Sequence, residues 1–153
     1  MQIKVKTIRN LEVIEKELNS IYSGVMVLLL EEDIEQIATN FVYHNKNIYV
    51  FIQKNELYRN LILGSVAKFT AIKDTAGRKK NKSDKENIYR LFYISVSGII
   101  KNVREKKLIN NIKQSFIQKY SGKLIESDSR SKSFSRLICI DTEELTATEE
   151  TGV

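Results

Sequence analysis

One histidine, one cysteine and scattered acids are the side chains of this 153-residue sequence that could carry catalysis unaided. A Ser-His-Asp or Cys-His arrangement would have to use His44, but Asn45-Lys46-Asn47 follow it, and the run reads as a tight surface turn. Cys139 stands in the apolar run 137–140, where a small buried hydrophobe is expected rather than a reactive thiol. Glu31/Glu32 and Glu143/Glu144 read as solvated turn charges, not as a general acid and base. The six glycines are isolated from one another, so there is neither a dinucleotide-binding GxGxxG nor a phosphate-cradling P-loop. No Cys/His cluster has zinc spacing, and no metal site is expected. The catalytic residues stay unknown. If the chain is an enzyme, a cofactor must carry the reaction.

Charge narrows the partners. The net charge is +6, yet 141–153 holds five acids (Asp141, Glu143, Glu144, Glu149, Glu150) and no Lys or Arg, so the rest of the chain is more basic still. Such a body can attract phosphate-bearing ligands. The loop 74–87 carries Arg78, Lys79, Lys80, Lys82 and Lys85 with almost no apolar side chains, and is expected to be mobile. It lacks the interleaved aromatics on which bases stack, so nucleic acid is not an expected partner. A single cysteine allows no internal disulfide, and a cytoplasmic location is expected. The longest apolar run, 25–30, is far short of the roughly 20 residues of a membrane span.

These residues must be positioned by a single domain spanning 1–153, in which no proline punctuates the elements. Ile8, Leu11, Ile14, Leu18 and Ile21 recur at helical spacing, with Thr7 as expected N-cap and Ser23-Gly24 as the stop. The run 25–30 reads as a strand buried on both faces. After the polar turn 31–33, a second strand over 34–43 and a third over 48–52 complete an expected antiparallel meander. A short helix over 56–63 points Leu57, Leu61 and Tyr58 inward, and Gly64-Ser65 ends it. A strand over 66–72 and a long strand over 88–103 follow, the latter expected to bulge at Ser97-Gly98 because an interior glycine marks such a site. Leu108, Ile112, Phe116 and Tyr120 define a helix over 104–120, stopped by Gly122. The Ser-rich stretch 127–135 reads as a linker, 137–140 as the closing strand, and 141–153 as a polar end, strand-like in part at 145–148. The sum is an α+β fold with a barrel core.

Order and local motifs together resemble the FMN-binding split-barrel superfamily of pyridoxamine 5'-phosphate oxidase-like proteins. "SGVMVLLLEE" is similar to that family's first strand, and "IATNFVYHNKNIYVFI" to its second and third. "LYRNLILGSVAKFTAI" is similar to its short helix and next strand, and "YISVSGIIKNVREKKLINNIKQSFIQKYSG" to its later strand and helix. The resemblance implies a six-stranded antiparallel split β-barrel with flanking helices. It also implies a homodimer binding FMN in grooves at the interface, and a flavoprotein oxidoreductase whose small-molecule substrate is unknown. Gln36 stands where the family's second strand commonly has an Arg, and Leu57 where a Lys often precedes the end of the helix. The implied cofactor-binding set is Gln36, Thr39, Asn40, Gln53, Lys54, Asn55 and Arg59, with Lys54 or Arg59 at the phosphate and Tyr58 and Tyr89 as candidates to line the site. A branch of the superfamily handles haem, for which His44 is the sole histidine; a cofactor-free binding dimer is the remaining alternative.

Overall fold

The computed structural model describes residues 1–74, 88–122 and 135–153. Its elements follow in the order β1 (Ile3–Ile8), α1 (Leu11–Ser20), β2 (Ser23–Leu29), β3 (Ile34–Asn40), β4 (Val42–His44), β5 (Asn47–Gln53), α2 (Glu56–Asn60), β6 (Val66–Asp74), β7 (Tyr89–Asn102), α3 (Lys106–Ser121) and β8 (Ser135–Gly152). The expected mobile loop lies outside the described residues except for Asp74, and the Ser-rich linker lies outside them up to Ser135.

All pairings are antiparallel, and the sheet runs β3-β2-β6-β7-β8-β5-β4. The long strand β8 organises it. One edge of β8 pairs with β7; the other pairs with β5 through its first residues and with β1 through its last, from Ile3↔Gly152 to Ile8↔Ala147. The sheet therefore curls into an open barrel rather than lying flat.

Two hydrophobic layers hold it. Inside the curl, Met26, Leu28, Phe41, Ile48, Val50, Ile52, Phe69, Ile94, Val96, Ile138 and Ile140 form one cluster, which α1 plugs with Ile14 and Leu18. Outside it, α3 covers Tyr49, Leu137 and Cys139 with Ile112, Leu108 and Phe116. Cys139 is a buried free thiol, as expected, with its pKa raised by burial.

Several expectations need correction. Among the described residues, eight strands replace the expected six. β1 occupies Ile3–Ile8, so Thr7 is a strand residue, and α1 starts three residues later than the helical spacing suggests, where Asn10 Oδ1 accepts from the Glu12 and Val13 N–H groups. Ile21 is the helix C-cap and Ser23 already begins β2. β2 buries one face only: Met26 and Leu28 are inside, while Val25 and Val27 are half exposed. The three-strand meander does not form. The second expected strand breaks at Phe41 into β3 and β4, which lie at opposite ends of the strand order. The ring at Phe41 turns into the core against Phe69, centroid to centroid 4.7 Å, and this inward anchor redirects the chain.

Other expectations hold. His44↔Asn47 closes a two-residue turn with Asn45 at φ 46° and Lys46 at φ 67°, the doubly positive geometry that suits the twist of a hairpin. β7 shifts register between Ser97 and Gly98. Gly122 caps α3 in the left-handed region. Finally, β8 runs on through the polar end 141–152; this segment was expected to be strand-like only in part. Among the described residues no helix is long and apolar enough to cross a membrane.

Candidate functional site in the split of the barrel

The sheet does not close. Among the described residues, β3 pairs only with β2, and β4 covers β5 only over residues 47–49. Beyond Tyr49, that edge of β5 has no strand partner among them. Two unpaired strand edges thus border one gap, each with backbone N–H and C=O groups available to a ligand. The gap holds a cleft of about 510 Å³ lined by Ser23, Ala38, Thr39, Asn40, Phe51 and Phe116, a volume in the range of about 300–1,000 Å³ that suits small-molecule sites.

The local sequence explains the lining. Ile48, Val50 and Ile52 point into the barrel, so strand alternation turns Tyr49, Phe51 and Gln53 outward. Phe51 meets Phe116 of α3 edge-on at 5.0 Å, and Phe116 stacks on Tyr120 one turn later at 5.7 Å with an interplanar angle of 18°. An aromatic wall therefore faces a polar strand edge carrying Ser23, Thr39 and Asn40. Thr39 Oγ1 donates to the Asn40 carbonyl at 3.0 Å.

Of the expected site residues, Thr39 and Asn40 line the cleft. Gln36 lies on the same exposed face of β3 as Ala38 and Asn40. Gln53 lies on the outward face of β5 with Phe51, at the end of the strand. Lys54 and Asn55 form the exposed turn into α2, and Arg59 is exposed on its last turn. None of these five is among the residues that line the cleft. Among the described residues, neither Lys54 nor Arg59 has a carboxylate within ion-pair distance. Tyr58 donates to Asn102 Oδ1 at 3.2 Å and Tyr89 to Glu150 at 2.5 Å; neither lines the cleft. His44 is half-buried, with its ring 6.2 Å from that of Tyr49.

Sequence reasoning missed Phe51 and Phe116, which it took for ordinary strand and core residues. The available signal was the parity of Phe51, opposite to three aliphatic neighbours, together with the i, i+4 pair Phe116–Tyr120.

The end of α3 is fastened beside the cleft. Tyr120 Oη accepts from the Phe41 N–H at 2.9 Å and donates to the Tyr22 carbonyl at 2.5 Å, with the Phe41 carbonyl at 3.0 Å as an alternative acceptor. Lys119 Nζ donates to the Phe41 carbonyl at 3.0 Å and sits 3.8 Å from the centroid of its ring. No carboxylate lies within ion-pair distance of Lys119 among the described residues, and burial lowers its pKa from the ordinary 10.5 to about 8. Tyr43, whose buried hydroxyl has no hydrogen-bond partner among the described residues, is pushed up from 10.0 to about 12, by burial first and then by Glu15.

These shifts set opposite slopes of stability with pH. Between about 8 and 10.5 the unfolded chain still holds the lysine proton that the folded chain has released, so stability rises with pH. Between about 10 and 12 the folded chain keeps the Tyr43 proton that the unfolded chain has lost, so stability falls. Cys139, raised from 9.0, and Tyr49 and Tyr120, raised from 10.0, add to the fall, so urea melts should show stability rising from about pH 8 and turning over by about pH 10. Lys119→Met should remove the rise and leave the fall. A native profile that declines steadily from about pH 8 would contradict the assignment.

No protein-family model and no curated protein sequence matches the chain. Solved structures do. A proposed 5-nitroimidazole antibiotic resistance protein from Bacteroides thetaiotaomicron superposes with a TM-score of 0.78 at 12% identity, covering 99% of this chain and 90% of that one. An FAD binding protein from Mycobacterium smegmatis gives 0.65 at 12% identity, covering 94% and 98%. A proposed pyridoxamine 5'-phosphate oxidase from Corynebacterium glutamicum gives 0.64 at 16% identity, covering 95% and 98%. At such identities the likeness is one of fold. The chain has the α+β split-barrel fold found in flavin-binding and pyridoxamine 5'-phosphate oxidase-like proteins.

Proposed function

We propose that the chain binds a flavin, FMN in the first instance, in the cleft of the split barrel, and acts as a flavin-dependent oxidoreductase working as a homodimer. The observation that carries this reading is the cleft itself: an aromatic wall, Phe51 and Phe116, facing the polar residues Ser23, Thr39 and Asn40 across a gap between two unpaired strand edges. This donor set suits a planar heteroaromatic ring with a hydrogen-bonding rim. The fold likeness to an FAD binding protein supports it.

When bound, the flavin supplies hydride and electron transfer. The chain's own groups bind and orient. The aromatic wall excludes water from one side of the ring. The Asn40 amide and the free backbone groups of β3 and β5 offer donors and acceptors to its polar rim. Gln36 and Gln53 extend the polar border along the outward faces of β3 and β5. Lys54 and Arg59, exposed and without carboxylate partners among the described residues, are the cations this reading assigns to the phosphate, with Asn55 beside them.

The test is a titration of the purified protein with FMN, FAD and riboflavin, followed by flavin fluorescence. Arg59→Ala should weaken FMN binding roughly 10- to 150-fold, the span of about 1.5–3 kcal/mol for a hydrogen bond to a charged group. Lys54→Ala should cost less, because a flexible ammonium stays hydrated. Both effects should shrink for riboflavin, which lacks the phosphate. Light scattering on the same samples should give the mass of a dimer. No binding of any flavin would end the reading; equal FMN affinity in all three proteins would end the assignment of the phosphate to this end of the cleft.

A further inference from the structure

We infer that Tyr120, which does not itself line the cleft, is the positioning residue that sets its geometry, with Lys119 as its auxiliary. Four of the cleft's six lining residues are reached from this one side chain. Its hydroxyl holds the backbone of Tyr22, the residue before Ser23, and of Phe41, the residue after Asn40. Its ring stacks on Phe116, which in turn meets Phe51. Tyr22 also packs against it, 5.7 Å between centroids.

The two backbone segments it ties are the start of β2 and the end of β3, and Ser23↔Asn40 is the last pair of that ladder. A terminal strand pair beside an open edge is where fraying begins. One phenol bridging Tyr22 and Phe41 from outside the sheet stops that fraying. It also fixes the distance between the polar edge and the aromatic wall, because the same ring forms part of the wall's support. Lys119 adds a second bond to the Phe41 carbonyl. The sidedness is specific: Phe41 is fully buried with its ring toward the core, so the hydrogen bonds from the helix end on its backbone, and the Lys119 ammonium also lies against the ring.

The inference rests on the reading of this cleft as the ligand site, and its test separates the two. Tyr120→Phe keeps the stacked ring and removes the hydroxyl. Tyr89→Phe is the control, since Tyr89 gives its hydroxyl to Glu150 on β8 and does not line the cleft. Tyr120→Phe should weaken flavin binding about tenfold, the scale of one hydrogen bond, and should speed amide exchange of Phe41 while shifting the Ser23 and Asn40 resonances. Tyr89→Phe should leave all of these unchanged even where it lowers stability as much. Lys119→Met should move the same signals in the same direction by less, and serves if Tyr120→Phe does not fold. If the native chain binds no flavin, the flavin reading fails alone, and the exchange and resonance changes still decide the role of Tyr120. Native flavin affinity in Tyr120→Phe, or equal changes at Ser23 and Asn40 in both phenylalanine variants, overturns the inference.

Discussion

Replacing Gly98 by Ala should destabilise the protein by about 3 kcal/mol or more, at the upper end of what overpacking costs. A Cβ at this position would lie 2.1 Å from the carbonyl oxygen of Asp141 and 2.8 Å from its carbonyl carbon. Both atoms belong to the backbone of β8, which is paired with β7 at Asp141 and with β5 at the preceding residue, Ile140. Neither can move without breaking ladder hydrogen bonds. Gly24 offers a contrast: its nearest contact would be the tip of the Phe69 ring at 2.2 Å, although the Thr70 carbonyl follows at 2.7 Å. The bulge at Ser97/Gly98 also bends the longest pairing of the sheet, so the strain would fall where the curl is made. Urea denaturation of the alanine variant measures the loss, and a change below about 1 kcal/mol would show that β8 can retreat.

Phe41→Ala should cost about 3–5 kcal/mol, the usual range for deleting a fully buried aromatic ring. The ring is 0% exposed, packs edge-on against Phe69, and carries the Lys119 ammonium on its other side. Losing it leaves a void beside Phe69 and strips a half-buried cation of its aromatic partner. Phe41→Leu refills part of the volume and should recover more than half of the loss. Equal stabilities for the alanine and leucine variants would mean that the ring's burial is not what holds the chain at this break.

The same residue shows why the sequence could be read only in part. Interior Gly98 marked its bulge, and the four-residue spacing of Leu108, Ile112, Phe116 and Tyr120 marked α3, because each signal is local and has one physical meaning. The break at Phe41 has no local signal. Alternation of apolar residues continues through it, and only the core position of Phe69, far along the chain, turns the ring inward. β1 was invisible for a different reason: five of its six residues are exposed, so its stability comes from ladder bonds to β8 rather than from a buried face. The polar end 141–152 hid the greater part of β8 in the same way. At the site, Thr39 and Asn40 were expected from the family resemblance as hydrogen-bonding residues of the second strand, and they line the cleft. Phe51 and Phe116 were not expected there, because aromatics look like core until the fold shows which face they take.

The placement of β8 carries a cost in time rather than in stability. Ile3 pairs with Gly152, and β5 and β7 take their places against the same late strand. On a ribosome, β1 and β5 are therefore made long before their common partner exists. Contacts that span almost the entire sequence require large loops to close before they are rewarded, and chains dominated by them fold on roughly the millisecond-to-second scale. Until the last residues arrive, the β2–β3 hairpin and β6 can assemble, while the flank of β5 that β8 will cover stays open. The interval between making β5 and making β8 is when this chain is most exposed to pairing with the wrong neighbour.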